Sequence, residues 1–136
     1  MAPLPRITLL IVSLHVLLYL LLSLRVVLRR KSSRIGIGTG GDTALALRVR
    51  VHANFAEYVP LALLLLLALL ELSGTVAWFV WACGLILLLA RVLHAIGLGG
   101  SAGYSFGRFG GAVLTFAVLL AMAAMGLWRF LLQATL

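Results

Sequence analysis

Four long apolar segments constrain the fold of this chain more than any other feature of its sequence. They lie at about residues 5–28, 43–72, 75–97 and 108–133. Each is long enough to cross the hydrocarbon core of a bilayer, which takes about 20 apolar residues in a helix. The whole chain is 64% hydrophobic and only 10% charged, which is too apolar for an ordinary soluble domain. We therefore predict an all-α membrane protein in which residues 1–136 form a single up-and-down bundle of four transmembrane helices.

The basic residues are distributed unevenly along such a bundle. Nine of the eleven fall at one end, namely Arg25, Arg29, Arg30, Lys31, Arg34, Arg48, Arg50, Arg91 and Arg108. Arg6 and Arg129 fall at the other end. The positive-inside rule then predicts that the first and third connections face the cytoplasm and that both termini lie outside it. We expect the net charge of +8 to attract anionic lipids, and we expect no nucleic-acid partner, because these arginines flank membrane spans.

The stretch RVRVHANFAEYVP, residues 48–60, places polar chemistry directly before a run of leucines. At 100° per residue, Arg50, Asn54 and Glu57 share one narrow face of a helix. A glutamate this far into a span needs a partner or a wet cavity, and Arg50 can pair with it while Asn54 lies between them. The face could be a structural ion pair that fixes the register of the bundle, or a pocket for a zwitterionic ligand. Pro60 has no N–H to donate and is expected to bend the helix just beyond this face.

Other polar residues lie near the same end of the predicted bundle. Arg48 and His52 fall on the opposite side of the second helix, so they form a separate cluster. Arg91 and His94 are three residues apart on the third helix and are therefore neighbours. Arg108 opens the fourth helix, where an arginine that extends its head group to water is the simplest interpretation.

Several remaining features predict structure and carry no chemistry of their own. His15 and Tyr19 lie on one side of the first helix and are expected to be satisfied interior polar groups. Cys83 is the single cysteine, in the middle of an apolar span, and is expected to be an inert buried thiol. Three histidines on three helices do not match a metal-ligand pattern, so no metal is expected. Gly107 and Gly111 form a G-x-x-x-G motif, which lets helices approach closely.

Two motifs carry a resemblance to a known family. The pattern R-x-H-x-N-x-x-E-Y-x-P, residues 50–60, resembles the second-helix signature of the MAPEG family, the membrane-associated proteins of eicosanoid and glutathione metabolism. The segment ARVLHAIGL, residues 90–98, is similar to the third-helix motif of that family. The chain is most similar to its small bacterial members, which contain runs like HANFAEYVPLALLLL. The resemblance implies a homotrimer in the bacterial cytoplasmic membrane, with glutathione as co-substrate between neighbouring subunits near the cytoplasmic face.

The resemblance also implies roles for particular residues. Glutathione would contact the second-helix motif residues Arg50, Asn54, Glu57 and Tyr58, with His52, Arg29, Arg30, Arg91 and His94 as further candidates. By its order along the chain, Arg108 corresponds to the arginine proposed to stabilise the glutathione thiolate, which makes it the catalytic candidate. A guanidinium stays charged at any working pH, and a nearby cation lowers the pKa of a thiol from about 8.5 towards neutrality. The thiolate is the nucleophilic form of the thiol.

The sequence also departs from the family pattern. Better-known members carry a tyrosine seven residues after the third-helix arginine, where this chain has Leu98, and Tyr104 in the next loop has no clear counterpart. Two functions therefore stay open. The first is a membrane-bound glutathione transferase or peroxidase that acts on a lipophilic substrate arriving through the bilayer. The alternative is a non-catalytic structural or accessory subunit of a larger membrane complex. A transporter is disfavoured because the sequence has no inverted repeat.

Overall fold

The described part of the chain contains four long helices joined by loops. The structure is a computed structural model that describes residues 4–100 and 105–134, apart from the side chains of residues 64–66, 98–100, 133 and 134. Its helices are α1 (Arg6–Ser33), α2 (Thr43–Leu72), α3 (Ala77–Gly100) and α4 (Phe106–Ala134). Each one is long and apolar enough to cross a membrane. The predicted all-α architecture of four membrane-spanning helices is confirmed.

The first helix is longer than its apolar segment. It was predicted to end near residue 28, but α1 continues to Ser33, and Arg34 ends it in the left-handed region with φ of 55°. Arg30 and Lys31 lie in the last turn, where positive charge favours the negative end of the helix dipole. The helix is about 42 Å long, against a hydrocarbon core of about 30 Å. Its basic end therefore extends beyond the core, and residues 29–33, which were assigned to the loop, belong to the helix.

The first loop is attached to both of its helices through Asp42. The Arg29 guanidinium donates two hydrogen bonds to this carboxylate, at 2.9 and 3.1 Å. The Asp42 carboxylate also accepts from the Leu45 N–H at 3.0 Å and so caps the start of α2. Hydrogen bonds from Arg29, from the Ser33 hydroxyl and from the Leu45 N–H hold the pKa of the Asp42 carboxyl well below its usual range. Asp42 is therefore ionised at neutral pH.

The second helix changes its geometry directly after Pro60. It is α-helical over Thr43–Pro60, π-helical over Leu61–Leu67 and α-helical again over Ala68–Leu72. Proline cannot donate to the carbonyl four residues earlier, that of Ala56, so the regular hydrogen-bond ladder is interrupted there. π-Helical turns inside α-helices are rare and often accompany functional sites. Pro60 was expected to bend the helix, and the structure shows a wider, π-helical segment directly after it, within the leucine run.

Two charged side chains fix the end of the bundle opposite the basic loop. The Glu71 carboxylate accepts hydrogen bonds from the Ile7 and Thr8 N–H groups, at 2.9 and 2.6 Å. It thereby caps the first turn of α1, where free N–H groups and the helix dipole favour negative charge. The Arg129 guanidinium donates to the Ser73 carbonyl in the turn between α2 and α3. Both contacts join elements far apart in sequence, and the sequence analysis predicted neither of them.

Glycines bring α3 and α4 into close contact. A Cβ atom added at Gly111 would lie 2.6 Å from the Ala90 carbonyl oxygen and 2.7 Å from His94 Cβ. A Cβ atom at Gly107 would lie 3.0 Å from the Leu93 carbonyl oxygen. The predicted use of the G-x-x-x-G motif in close helix packing is confirmed. This contact holds His94 and the start of α4 next to each other.

We expect Gly111→Ala to destabilise the protein although alanine is the better helix former. The added methyl group must displace backbone atoms of α3, and overpacking of this kind costs about 1–3 kcal/mol. Gly110→Ala is the matched control, because a Cβ atom there meets nothing within 4 Å. It should leave stability unchanged or raise it by up to about 1 kcal/mol. Unfolding of the two variants in detergent, followed by circular dichroism, checks this; equal stabilities would contradict the close contact.

Candidate functional site

A polar cavity lies between α2, α3 and α4, at the end that carries most of the basic residues. Its volume is about 370 Å³, and its lining residues are Asn54, His94, Ser105, Arg108, Phe109 and Ala112. Three of them, Asn54, His94 and Arg108, are site residues predicted from the sequence, and they come from three different helices. The fold therefore brings these three candidates together around one space.

A buried arginine lies directly behind the wall of this cavity. Arg91 is only 2% exposed, and its guanidinium donates to Asn54 Oδ1 at 2.6 Å and to Thr115 Oγ1 at 3.4 Å. The same guanidinium lies 5.8 Å from the centre of the Phe55 ring. Its Nε is buried and has no hydrogen-bond partner in the described part of the chain.

No carboxylate of the chain compensates the charge of Arg91. The chain has three acidic residues, Asp42, Glu57 and Glu71. Asp42 pairs with Arg29, Glu57 pairs with Arg50, and Glu71 caps α1. A buried cation without an acidic partner is costly in a protein interior. The region around Arg91 is thus positively charged and suited to an anion.

Arg91 also determines which atoms the cavity offers to a ligand. A guanidinium can only donate hydrogen bonds, so the Asn54 atom that faces it must be the amide oxygen. For the same reason His94 Nδ1, at 3.5 Å, accepts from Arg91. This leaves the Asn54 amide NH₂ and the His94 Nε2–H as donors. With the Arg108 guanidinium, the polar lining of the cavity is rich in hydrogen-bond donors, which favours a carboxylate or thiolate.

The start of α4 is linked to the end of α3 by Ser105. Its hydroxyl donates to the Gly97 carbonyl at 2.8 Å and accepts from the Arg108 N–H at 3.3 Å. It therefore caps α4 and places Arg108 in the first turn, where the positive end of the helix dipole adds to its charge. Ser105 was not among the predicted site residues. Ser105 lies three residues before the predicted start of the fourth helix, and a serine near a helix start is a capping signal that could have identified it.

Arg50 and Glu57 form an ion pair on the surface of the single chain. Their side chains are 59% and 47% exposed, and Arg50 Nη1 lies 3.1 Å from Glu57 Oε1. The prediction that they pair is confirmed. The prediction that Asn54 lies between them as a bridge is wrong, because its amide oxygen accepts from the buried Arg91, a charge-assisted bond that is stronger than a neutral one. Tyr58, on the same helix, packs edge-on against Phe116 of α4, and the centres of the two rings are 5.6 Å apart.

The second polar cluster of α2 is separate from Arg50 and Glu57, as predicted, and it contacts α1. His52 Nε2 lies 3.0 Å from Ser23 Oγ, and the His52 ring is 4.8 Å from the ring of Tyr19. Arg48 donates to the Arg25 carbonyl at 3.0 Å. These side chains do not line the polar cavity of their own chain. A contact between His52 and glutathione stays a prediction.

The two first-loop candidates have structural partners. Arg29 pairs with Asp42, and Arg30 donates to three loop carbonyls, those of Ile35, Gly36 and Gly38. Neither lines the cavity of its own chain. Their contribution to a site shared with a neighbouring subunit stays a prediction. The Leu98 side chain and the whole of Tyr104 lie outside the described residues.

Comparison with known proteins identifies the family. A family model described as the MAPEG family matches residues 8–128, which include parts of all four helices. The chain belongs to the MAPEG family. Together with its four apolar helices, this membership makes the chain an integral membrane protein. The described residues of this MAPEG protein contain no group of three or more His, Cys, Asp or Glu side chains that could hold a metal ion.

Curated relatives of this MAPEG protein come from two strains of Escherichia coli, K12 and O6:H1 CFT073. Both are called inner membrane protein YecN, and each is 38% identical to the chain over 84 residues. The matched segment is 62% of this chain and 63% of each relative, so it spans less than two thirds of their length. No solved structure matches the chain. The similarity is thus to proteins named for their place in the inner membrane.

Proposed function

We propose that this MAPEG protein is a glutathione-dependent transferase or peroxidase of the bacterial cytoplasmic membrane. Its substrates would be lipophilic electrophiles or hydroperoxides that reach it through the bilayer, with glutathione as co-substrate. One observation carries the proposal: the Arg91 guanidinium is buried behind the polar cavity, and the three acidic side chains of the chain are engaged elsewhere. Glutathione supplies carboxylates and, once deprotonated, a thiolate.

The chemistry follows from the donors around the cavity. The Asn54 amide and the His94 Nε2–H donate to the anionic groups of glutathione, and Arg91 adds charge from behind them. Arg108 lines the same cavity from the first turn of α4, where its charge stabilises the thiolate over the thiol. The thiolate sulfur then attacks an electrophilic carbon of the second substrate and forms a carbon–sulfur bond, while the bond from that carbon to its leaving group breaks and the leaving group departs with the electron pair.

The exposed ion pair on α2 supports the proposal of a homotrimer. Glu57 lies 14 residues beyond Thr43, or about 21 Å along the helix axis, so it falls within the bilayer. A charged side chain that faces lipid at this depth carries a free-energy cost of roughly several kcal/mol unless protein or water covers it. We infer that a neighbouring copy covers Arg50 and Glu57, which would place them at a glutathione site between subunits. The concentration of basic residues at one end of the bundle supports the proposal that both termini lie outside the cytoplasm.

The test is a glutathione titration of the purified protein in mild detergent. We expect saturable binding at millimolar glutathione, an increase in thiolate absorbance, and conjugation of a model electrophile. Arg50→Gln should weaken binding about ten-fold, since an ion pair with a ligand carboxylate is lost. Arg6→Gln is the matched control, because Arg6 is exposed at the opposite end of the bundle. A wild-type protein that does not bind millimolar glutathione would refute the proposal.

A non-catalytic accessory subunit is the second candidate function. It is favoured by Leu98, which stands where better-known members of the family carry a tyrosine. Such a protein would bind glutathione without turnover, or co-purify with larger partners whether or not Arg50 is replaced. An isolated homotrimer that loses glutathione affinity with Arg50→Gln supports the enzyme instead.

A further inference from the structure

A second cavity opens between α1 and α2, and Phe55 is among its lining residues. Its volume is about 310 Å³, and apart from His15 and Tyr19 its lining side chains are apolar, including Val12, Val59 and Leu63. Four of its lining residues, Val16, Tyr19, Ala56 and Pro60, are exposed on the surface of the chain. The cavity therefore opens sideways, towards the membrane or a neighbouring subunit.

One buried polar atom in this cavity has no partner. His15 is 1% exposed, and its Nδ1 lies 2.8 Å from the Ile11 carbonyl oxygen. Because a carbonyl can only accept, Nδ1 carries the hydrogen, and in the neutral ring Nε2 is left with a lone pair. This Nε2 is buried and has no hydrogen-bond partner among the residues that the structure describes. A buried acceptor without a donor is costly, and almost all such atoms in native proteins are satisfied.

A molecule that dissolves in the bilayer can supply the missing donor. His15 lies nine residues after Arg6, or about 14 Å along α1, so it falls within the hydrocarbon core. Water is scarce there, and apart from the Tyr19 hydroxyl, which makes no hydrogen bond to His15 Nε2, the side chains that line the cavity around His15 carry no donor. A hydroxyl group on an apolar body would supply the hydrogen and fill the remaining space.

We propose that this cavity binds a lipophilic alcohol or phenol whose hydroxyl donates to His15 Nε2. A cavity of about 150 Å³ accepts benzene, so about twice that volume accommodates a ring with a short chain or part of an alkyl chain. The site is separate from the proposed glutathione site, because the two cavities share no lining residue. Binding of an alcohol at this site does not depend on whether the protein is a glutathione enzyme.

The test compares ligands that differ only in the donor. Protein with ¹⁵N-labelled histidine, in mild detergent, is titrated with 1-dodecanol and with dodecyl methyl ether. We expect the alcohol to shift the Nε2 resonance of His15 saturably and to bind about five-fold more tightly than the ether, the value of one hydrogen bond. A parallel titration with 4-octylphenol and its methyl ether shows whether the site prefers a phenol.

Two variants locate the site. Ala56→Phe fills the mouth of the cavity at an exposed position and should abolish binding of both ligands, whereas Ala117→Phe, at an exposed alanine of α4, should not. His15→Phe should abolish the preference for the alcohol. The alcohol–ether comparison in the unmodified protein decides the matter even if this variant does not fold. Equal affinities for each alcohol and its ether, or no saturable shift with any of the ligands, would overturn the inference; the second result is expected if a neighbouring subunit fills the cavity.

Discussion

Replacing Arg91 with methionine will weaken glutathione binding by about thirty-fold or more while leaving the protein at least as stable as before. The guanidinium is separated from a ligand in the cavity by one hydrogen-bonded side chain, Asn54, or about 6 Å. At this distance, and with an effective dielectric constant of about 20, a unit charge contributes about 2–3 kcal/mol to anion binding. Methionine removes that contribution. It also frees the Asn54 amide and the His94 ring from the orientations that Arg91 imposes.

The stability of the protein should not decrease, because Arg91 has no acidic partner that the substitution would leave unpaired. Breaking a buried ion pair is destabilising since the remaining charge is uncompensated, but here no carboxylate loses a partner. Methionine has a similar length, adapts to irregular space, and does not have to be desolvated as a charge. The loss of three hydrogen bonds, to Asn54, Thr115 and His94, offsets part of this gain. We therefore expect an unfolding midpoint that is unchanged or higher.

Affinity by titration and unfolding by circular dichroism, both in the same detergent, measure the two effects. Leu87→Met is the matched control, because Leu87 is a buried residue one turn earlier on α3 and does not line the cavity. It should change neither quantity by much. If Arg91→Met unfolds the protein while Leu87→Met does not, the buried arginine is a structural element. If it binds glutathione normally, the cavity does not depend on the charge.

The helices could be predicted from the sequence because apolarity along one segment is sufficient evidence for a span. The bounds predicted for the second helix, residues 43–72, agree with α2. The bounds predicted for the first helix, residues 5–28, do not agree with α1, because hydropathy detects only the part of a helix that lies in lipid. It does not detect the turns that continue into water, and Arg29 to Ser33 form such turns, stabilised by positive charge at the helix end.

The candidate site could be predicted only where its geometry lies within one helix. The pairing of Arg50 with Glu57 and the opposite orientation of His52 both follow from 100° per residue. The contact of Asn54 with Arg91 depends on how α2 and α3 are rotated against each other, which no pattern in either segment specifies. The same holds for Glu71 on the first turn of α1. Helix positions were thus predictable, while contacts between helices required the packed bundle.

Replacing Arg108 with glutamine will move the pH dependence of conjugation upwards and lower its rate at neutral pH. In the proposed mechanism, a cation beside the bound thiol favours the thiolate, so the thiol pKa should be depressed and the rate should rise to its plateau near neutrality. Without that cation, the rising limb should move to about pH 8.5, the ordinary pKa of a thiol. At pH 7 only a few per cent of bound glutathione would then be ionised, so the rate should fall by about ten- to a hundred-fold.

The shape of the pH profile separates Arg108 from Arg91. Arg91 lies behind the wall of the cavity and acts mainly on anion affinity, so Arg91→Met should raise KM for glutathione more than it lowers kcat. Arg108 lies in the cavity itself, so its loss should lower kcat at pH 7 and let the rate recover as the pH rises to about 9. Arg108→Lys retains a positive charge and should restore part of the neutral rate. A glutamine variant that is slower at every pH, with an unmoved profile, would assign Arg108 to substrate positioning and not to thiolate stabilisation.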